Sequence, residues 1–150
     1  MSLIDFEQER QSNAVDMIEH IAALNDWSFE RAGDDEITIS VTGGWSDYHV
    51  SFSWMEENEA IHLACAFDLK VPDNRKLEVM RLLTLVNEQM WIGHFDLWTH
   101  TGMIMYRQAL VLPNRMTAST AQCEVMVESA LHACERYYPA FQFVVWAGKS

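Results

Sequence analysis

Residues 37 to 67 constrain the fold more than any other part of the chain. Ile37, Ile39 and Val41 alternate with Thr38, Ser40 and Thr42; Tyr48, Val50, Phe52 and Trp54 alternate with His49, Ser51 and Ser53; Ile61, Leu63, Cys65 and Phe67 alternate with His62, Ala64 and Ala66. A period of two places successive side chains on opposite faces of a strand. In all three segments one parity is large and apolar and the other small and polar. An antiparallel meander covered on one face and open on the other has this pattern. Gly43-Gly44 and Glu56-Glu57-Asn58 supply the two turns.

Helical periodicity flanks the meander. Before it, Ala14, Met17, Ile18, Ile21 and Leu24 recur at helical spacing, with Asn13 and Asp16 placed like a capping box and Asn25-Asp26 as the stop. After it, Pro72-Asp73-Asn74 opens a second helix running to about Met90, with Val79, Leu82, Leu83, Val86 and Met90 as its main stripe. Leu77, Met80 and Leu85 lie outside that stripe, so this helix is apolar almost all round. Such a helix is expected to be buried on both sides, the second side by another subunit.

A hairpin follows, Ile92 to Thr99 and Met103 to Leu112 around His100-Thr101-Gly102. With Thr101-Gly102 as a two-residue turn, Asp96 falls opposite Arg107. Phe95, Leu97, Ile104, Tyr106 and Leu110 then face the core, while Trp98, Met103 and Met105 lie on the other face. A last helix begins near Ser119 with Gln122 three residues on, and buries Cys123, Val127, Ala130, Cys134 and Tyr138. Pro139 is expected to kink or restart it before the amphipathic tail Phe141 to Trp146. The expected class is α+β, in the order α-β-β-β-α-β-β-α, with a twisted antiparallel sheet and helices. A chain of 150 residues fits one domain, residues 1 to 150.

Charge then narrows the function. Ten Lys and Arg against 22 Asp and Glu give a net charge of −12, and the basic residues are scattered. Binding a phosphate backbone needs basic residues clustered on one face, so nucleic acid and anionic membrane are not expected partners. Three cysteines and a polar start, Ser2 to Asn13, with no apolar signal core point to a reducing cytoplasm. Six Trp, seven Phe and nine Met exceed what a small core needs, which puts part of that bulk at an interface.

No catalytic, cofactor or metal constellation can be assembled. His49 and His62 share the polar face, but a turn at Glu56 to Asn58 pairs Ser53 with His62 and leaves His49 about 13 Å along the strand. His94 and Asp96 make two ligands, short of the four a zinc site usually needs. Cys123 and Cys134 lie about 16 Å apart along one helix, so they read as small core residues, as does Cys65. Gly148-Lys149-Ser150 resembles the end of a phosphate-binding loop, but Phe143 stands where that loop needs glycine. The acidic residues of the turns, Asp34 to Glu36 and Glu56-Glu57, read as solvated carboxylates. The stretch Asn87 to Phe95 is the most informative: a helix end and a glycine account for Gly93 but leave Trp91 and His94-Phe95 without a reason.

Asn-Asp-Trp-Ser-Phe-Glu-Arg at 25 to 31, Asn-Glu-Gln-Met-Trp-Ile-Gly-His-Phe at 87 to 95 and Arg-Tyr-Tyr-Pro-Ala-Phe-Gln at 136 to 142 resemble the YbjN-like family of bacterial proteins. The resemblance implies a fold like that of type III secretion chaperones, often a homodimer, a loose assignment as a sensory-transduction regulator, and no established catalytic residues. It also implies that similar proteins continue past Gly148-Lys149-Ser150 with a further acidic stretch. The functional expectation is a non-catalytic protein-binding module, a homodimer that also binds an unidentified protein. Its candidate interface is Leu77, Met80, Leu85, Trp98, Met103 and Met105. The alternative is a small-ligand sensor with a pocket between sheet and helices lined by Trp27, Trp54 or Trp91.

Overall fold

A computed structural model describes residues 14 to 147; the Asn13 cap and Gly148 to Ser150 lie outside the described residues. The elements run α1 (Ala14–Leu24), β1 (Ser28–Arg31), β2 (Glu36–Thr42), β3 (Asp47–Met55), β4 (Ala60–Lys70), α2 (Lys76–Glu88), β5 (His94–Trp98), β6 (Met103–Val111) and α3 (Thr120–Trp146). All strand pairs are antiparallel, in one open sheet ordered β1-β2-β3-β4-β6-β5.

The alternation decides which face is covered. Ile37, Ile39, Tyr48, Val50, Phe52, Ile61, Leu63, Cys65 and Phe67 are all buried. Across the ladder, Ile37 stands opposite Phe52, and Phe52 opposite Leu63, so the apolar parities share one face. α1 packs over β1 to β3 and α3 over β3, β4 and β6, while α2 lies against β5 and α3. An aromatic cluster joins the layers: the Phe67 ring meets Tyr138 edge-on at 5.0 Å between centroids, and Phe95 lies 5.3 Å from Phe141. The opposite face, carrying Thr38, Ser51, Ser53, His62, Ala64 and Ala66, has no helix over it among the described residues.

Several local expectations need correction. The sheet has a further strand, β1, whose residues Ser28, Phe29 and Glu30 are exposed and carry no alternating signal. The hairpin turn spans four residues rather than two, so Asp96 stands opposite Met105 and His94 opposite Arg107. Gly102 sets this turn: it adopts φ 72°, and a Cβ there would lie 2.7 Å from the Val71 carbonyl oxygen. The two-residue slip keeps side-chain parity, so Phe95, Ile104 and Tyr106 are buried as expected. Leu24 is exposed, and Val15 and Ala22 complete the buried face of α1 instead.

α3 does not restart at Pro139; it is one helix of 27 residues with the proline inside. Proline removes one backbone donor, but Tyr138, Phe141 and Val145 remain buried on either side of it. The helix starts on a full capping box: Gln122 N–H donates to Ser119 Oγ at 3.1 Å and Ser119 N–H to Gln122 Oε1 at 2.8 Å. Among the described residues α2 is buried on one side, through Val79 and Val86.

Candidate functional site

The six candidate interface residues fall into two groups on different layers. Leu77, Met80 and Leu85 project from the outer side of α2; Leu77 is 69% and Leu85 58% exposed. Trp98, Met103 and Met105 sit together on the open face of the sheet. Trp98 pairs with Met103, while Met105 lies between Ala66 of β4 and Asp96 of β5. Trp98 is exposed and the two methionines are half-buried.

Beside Met105 a polar row crosses three strands of the open face. Arg107 Nε donates to His62 Nε2 at 3.1 Å, Arg107 Nη1 to Asp96 Oδ2 at 3.0 Å, and His94 Nε2 lies 3.2 Å from the same carboxylate oxygen. The expected Asp96–Arg107 pair therefore forms, diagonally rather than directly across the ladder. Burial, then the neighbouring Arg107 and His94, push the His62 pKa below its ordinary value. Neutral His62 accepts at Nε2 and keeps its proton on Nδ1. His49 stands apart from this row and contacts Ser40 Oγ at 3.0 Å. Among the described residues no three His, Cys, Asp or Glu side chains gather as a metal site.

The row ends in a cavity of about 480 Å3 whose walls include His62, Trp91, His94, Arg107 and Ala109. Trp91 is 98% exposed. Trp27 and Trp54 do not line this cavity; they are partly buried against the core. Gly93 shapes the entrance: at φ 72° it lets the chain turn from α2 into β5, and any Cβ there would collide with the Tyr106 ring. Near it, Tyr106 Oη donates to Gln108 Oε1 at 2.9 Å. Burial raises the Tyr106 phenol to about 12, so it is always a donor here.

Three arrangements were not foreseeable from residue spacing. Asn87 on α2 bonds both backbone groups of Phe95: its side-chain amide donates to the carbonyl at 3.0 Å, and Phe95 N–H donates to its Oδ1 at 2.9 Å. Glu135 of α3 reaches the β2–β3 loop, where Gly44 N–H donates to its Oε1 at 2.7 Å. Cys65 and Cys134, read as separate core residues, are brought together: they share a side-chain hydrogen bond, which with burial raises the Cys134 pKa well above the ordinary thiol range.

No helix among the described residues is long and apolar enough to cross a membrane. The family model described as YbjN, "putative bacterial sensory transduction regulator", matches residues 14 to 143, and the chain belongs to this family. No curated protein shows a significant match to the sequence. Three solved structures share the fold at low sequence identity. YbjN from E. coli, described as a "putative transcription regulator", superposes with TM-score 0.59 at 10% identity, covering 84% of this chain and 92% of that one. The HopA1–SchA chaperone–effector complex gives 0.54 at 11%, covering 86% and 94%, and the ExsC–ExsE complex 0.52 at 14%, covering 91% and 96%. The fold is of the type III secretion chaperone kind, shared with the SchA and ExsC structures.

Proposed function

We propose that this member of the YbjN family is a non-catalytic protein-binding module, a regulator or chaperone-like adaptor that works in the cytoplasm as a homodimer. The observation that carries the reading is the outer stripe of α2. Leu77, Met80 and Leu85 stand exposed on a helix whose opposite side already packs the core. Clustered apolar side chains of this kind mark interaction surfaces on soluble proteins. The fold neighbours support it, since one is a chaperone–effector complex and another the ExsC–ExsE complex. The buried, unpaired Cys65, Cys123 and Cys134 fit a reducing compartment.

Because the two candidate groups lie on different layers, α2 serves self-association and the Trp98–Met103–Met105 face remains for a partner. Light scattering coupled to size exclusion tests the first half: the expected mass is twice 17.3 kDa, reduced to the monomer value by Leu77→Lys with Leu85→Glu. A monomeric wild-type chain overturns the homodimer. Met103→Lys with Met105→Lys tests the second half, with loss of partner capture expected at unchanged mass.

The cavity at Trp91 favours a second reading, small-ligand sensing, because its volume of about 480 Å3 lies in the range of small-molecule sites. A metabolite screen by thermal shift tests it, as a specific ligand raises the melting temperature by mass action.

A further inference from the structure

Beside the Trp91 cavity the sheet has a notch in its edge. β6 runs from Met103 to Val111, but β5 pairs only Met103 to Arg107. Ahead of His94 the chain turns away at Gly93, so β5's line is vacant alongside Gln108 to Val111. Four residues of strand, about 13 Å at ~3.3 Å each, thus lack an outer neighbour.

The direction of the backbone groups along this stretch follows from two bonds. Leu112 N–H donates to the Glu59 carbonyl at 2.7 Å, so even-numbered positions face β4. Phe95 gives both its backbone groups to Asn87, so His94 and Asp96 face β6 and bond the odd positions Arg107 and Met105. Ala109 and Val111 therefore aim N–H and C=O into the notch. No described residue bonds to them. At the closed end of the notch stands Arg107, its Nε held by His62 and its Nη1 by Asp96, with Nη2 unpartnered among the described residues.

We infer that the notch captures the C-terminal residues of a partner polypeptide as an added strand, antiparallel to β6, with the terminal carboxylate at Arg107. Polarity selects the C-terminus. A strand antiparallel to β6 runs in the direction of β5, so it must end where β5 begins, beside Arg107 and His94. Asp96 already pairs with Arg107 Nη1, so the selection rests on the remaining Nη2 donor, which can bond a carboxylate and cannot bond an ammonium group. Exposed Trp91 and Ile92 give apolar surface beside the incoming strand. The net charge of −12 opposes an anion only weakly, since charges farther than about 8 Å are screened at physiological ionic strength. The inference rests on the protein-binding reading above and assigns a place and a chemical class to that binding.

Ala109→Pro is a clean test of the backbone part. Its N–H faces the free edge, so proline removes the donor without breaking the ladder to β4. Hexapeptides selected on the full-length protein from a random array with free C-termini are compared with their C-terminal amides. The 15N spectrum of the wild-type protein serves as the second readout. The free acid is expected to bind at least tenfold more tightly than the amide, to shift the Ala109 and Val111 amides and to slow their exchange. Arg107→Met should abolish the preference for the free acid, and Ala109→Pro should abolish binding. An array that selects nothing, equal binding of acid and amide, or binding that leaves those two amides untouched overturns the inference. So does a small molecule that occupies the cavity without protecting them. Ala109→Pro leaves α2 intact, so an unchanged dimer mass confines a negative result to the notch.

Discussion

Asn87 stands in for a missing strand beside Phe95. Its side-chain amide supplies one donor and one acceptor, the same pair a neighbouring residue in the ladder would offer, at 3.0 and 2.9 Å. β5 is the outermost strand on its side of the sheet. An unpaired edge is a template for aggregation, and here a residue at the end of α2 caps it at Phe95. Asn87→Leu removes both bonds and leaves a half-buried donor and acceptor unsatisfied. The expected cost is about 1–3 kcal/mol in urea unfolding, with faster aggregation on storage. Asn87→Asp keeps the acceptor, loses the donor and sets a negative charge against the Phe95 carbonyl. It should therefore be no more stable than Asn87→Leu; wild-type stability in either variant contradicts the capping role.

The β2–β3 loop is tied to α3 by a carboxylate lodged against two glycines. A Cβ on Gly43 would collide with both the Glu135 carboxylate and the Tyr48 ring, while Gly44 N–H binds that carboxylate. Burial, with the neighbouring Glu135, holds the Tyr48 phenol protonated well above its ordinary range. Gly43→Ala should cost about 1–3 kcal/mol through overpacking. Glu135→Ala alone should cost about 1 kcal/mol for the lost bond. A Cβ on Gly43 would also meet the Ser46 carbonyl oxygen at 2.9 Å; the double variant removes one of these three collisions, so it should be less destabilised than the sum of the singles. Strict additivity in thermal unfolding would show that loop and helix are not coupled through this contact.

These contacts show what the sequence can and cannot disclose. The meander was readable because each of its three segments between Ile37 and Phe67 alternates cleanly; its register is set by the four residues Glu56 to Glu59, which join the paired Met55 and Ala60 and put Ser53 opposite His62. β1 was not, because its inward positions are Phe29 and Arg31. At the sheet edge the cover is α1 alone, and Arg31 satisfies it with an ion pair to Asp16 at 2.7 Å rather than with apolar burial. The hairpin slip was invisible for a different reason. Moving the register by two residues leaves every side chain on its face, so only the packing of Gly102 under Val71 decides it. Trp91 and His94 stood out as unexplained residues. Their cavity did not, since it depends on β5 stopping short and on which way the backbone of Ala109 faces.

His62 makes stability depend on pH with a defined sign. Its folded pKa is lowered from the ordinary 6.5 by burial, Arg107 and His94. Between that depressed value and 6.5 the unfolded chain binds the proton and the folded chain does not. The contribution is thus fully present above about pH 6.5 and is lost as the pH falls through the folded pKa. Protonation also removes the acceptor that Arg107 Nε uses. Urea midpoints should decline from pH 7.5 to pH 5 more in wild type than in His62→Gln. An NMR titration of His62 with a midpoint at or above 6.5 would reverse the sign and refute the account.

The three thiols should be inert in the folded state. Cys65, Cys123 and Cys134 are all buried. Burial, with nearby Glu124, raises Cys123 to about 11, which leaves roughly one thiolate in a thousand at pH 8. Cys134 is raised further by its bond with Cys65 and by burial. A thiol reagent can then reach them only through opening of the structure. Native labelling should slow in proportion to added stability, whereas all three should react at once in denaturant. Rapid native labelling confined to Cys65 and Cys134 would have a specific meaning: the part of α3 around Cys134 lifts from β4 while its start at Cys123 stays packed. That motion would part the aromatic contact between Phe67 and Tyr138, so quenching of tyrosine fluorescence would change together with the labelling.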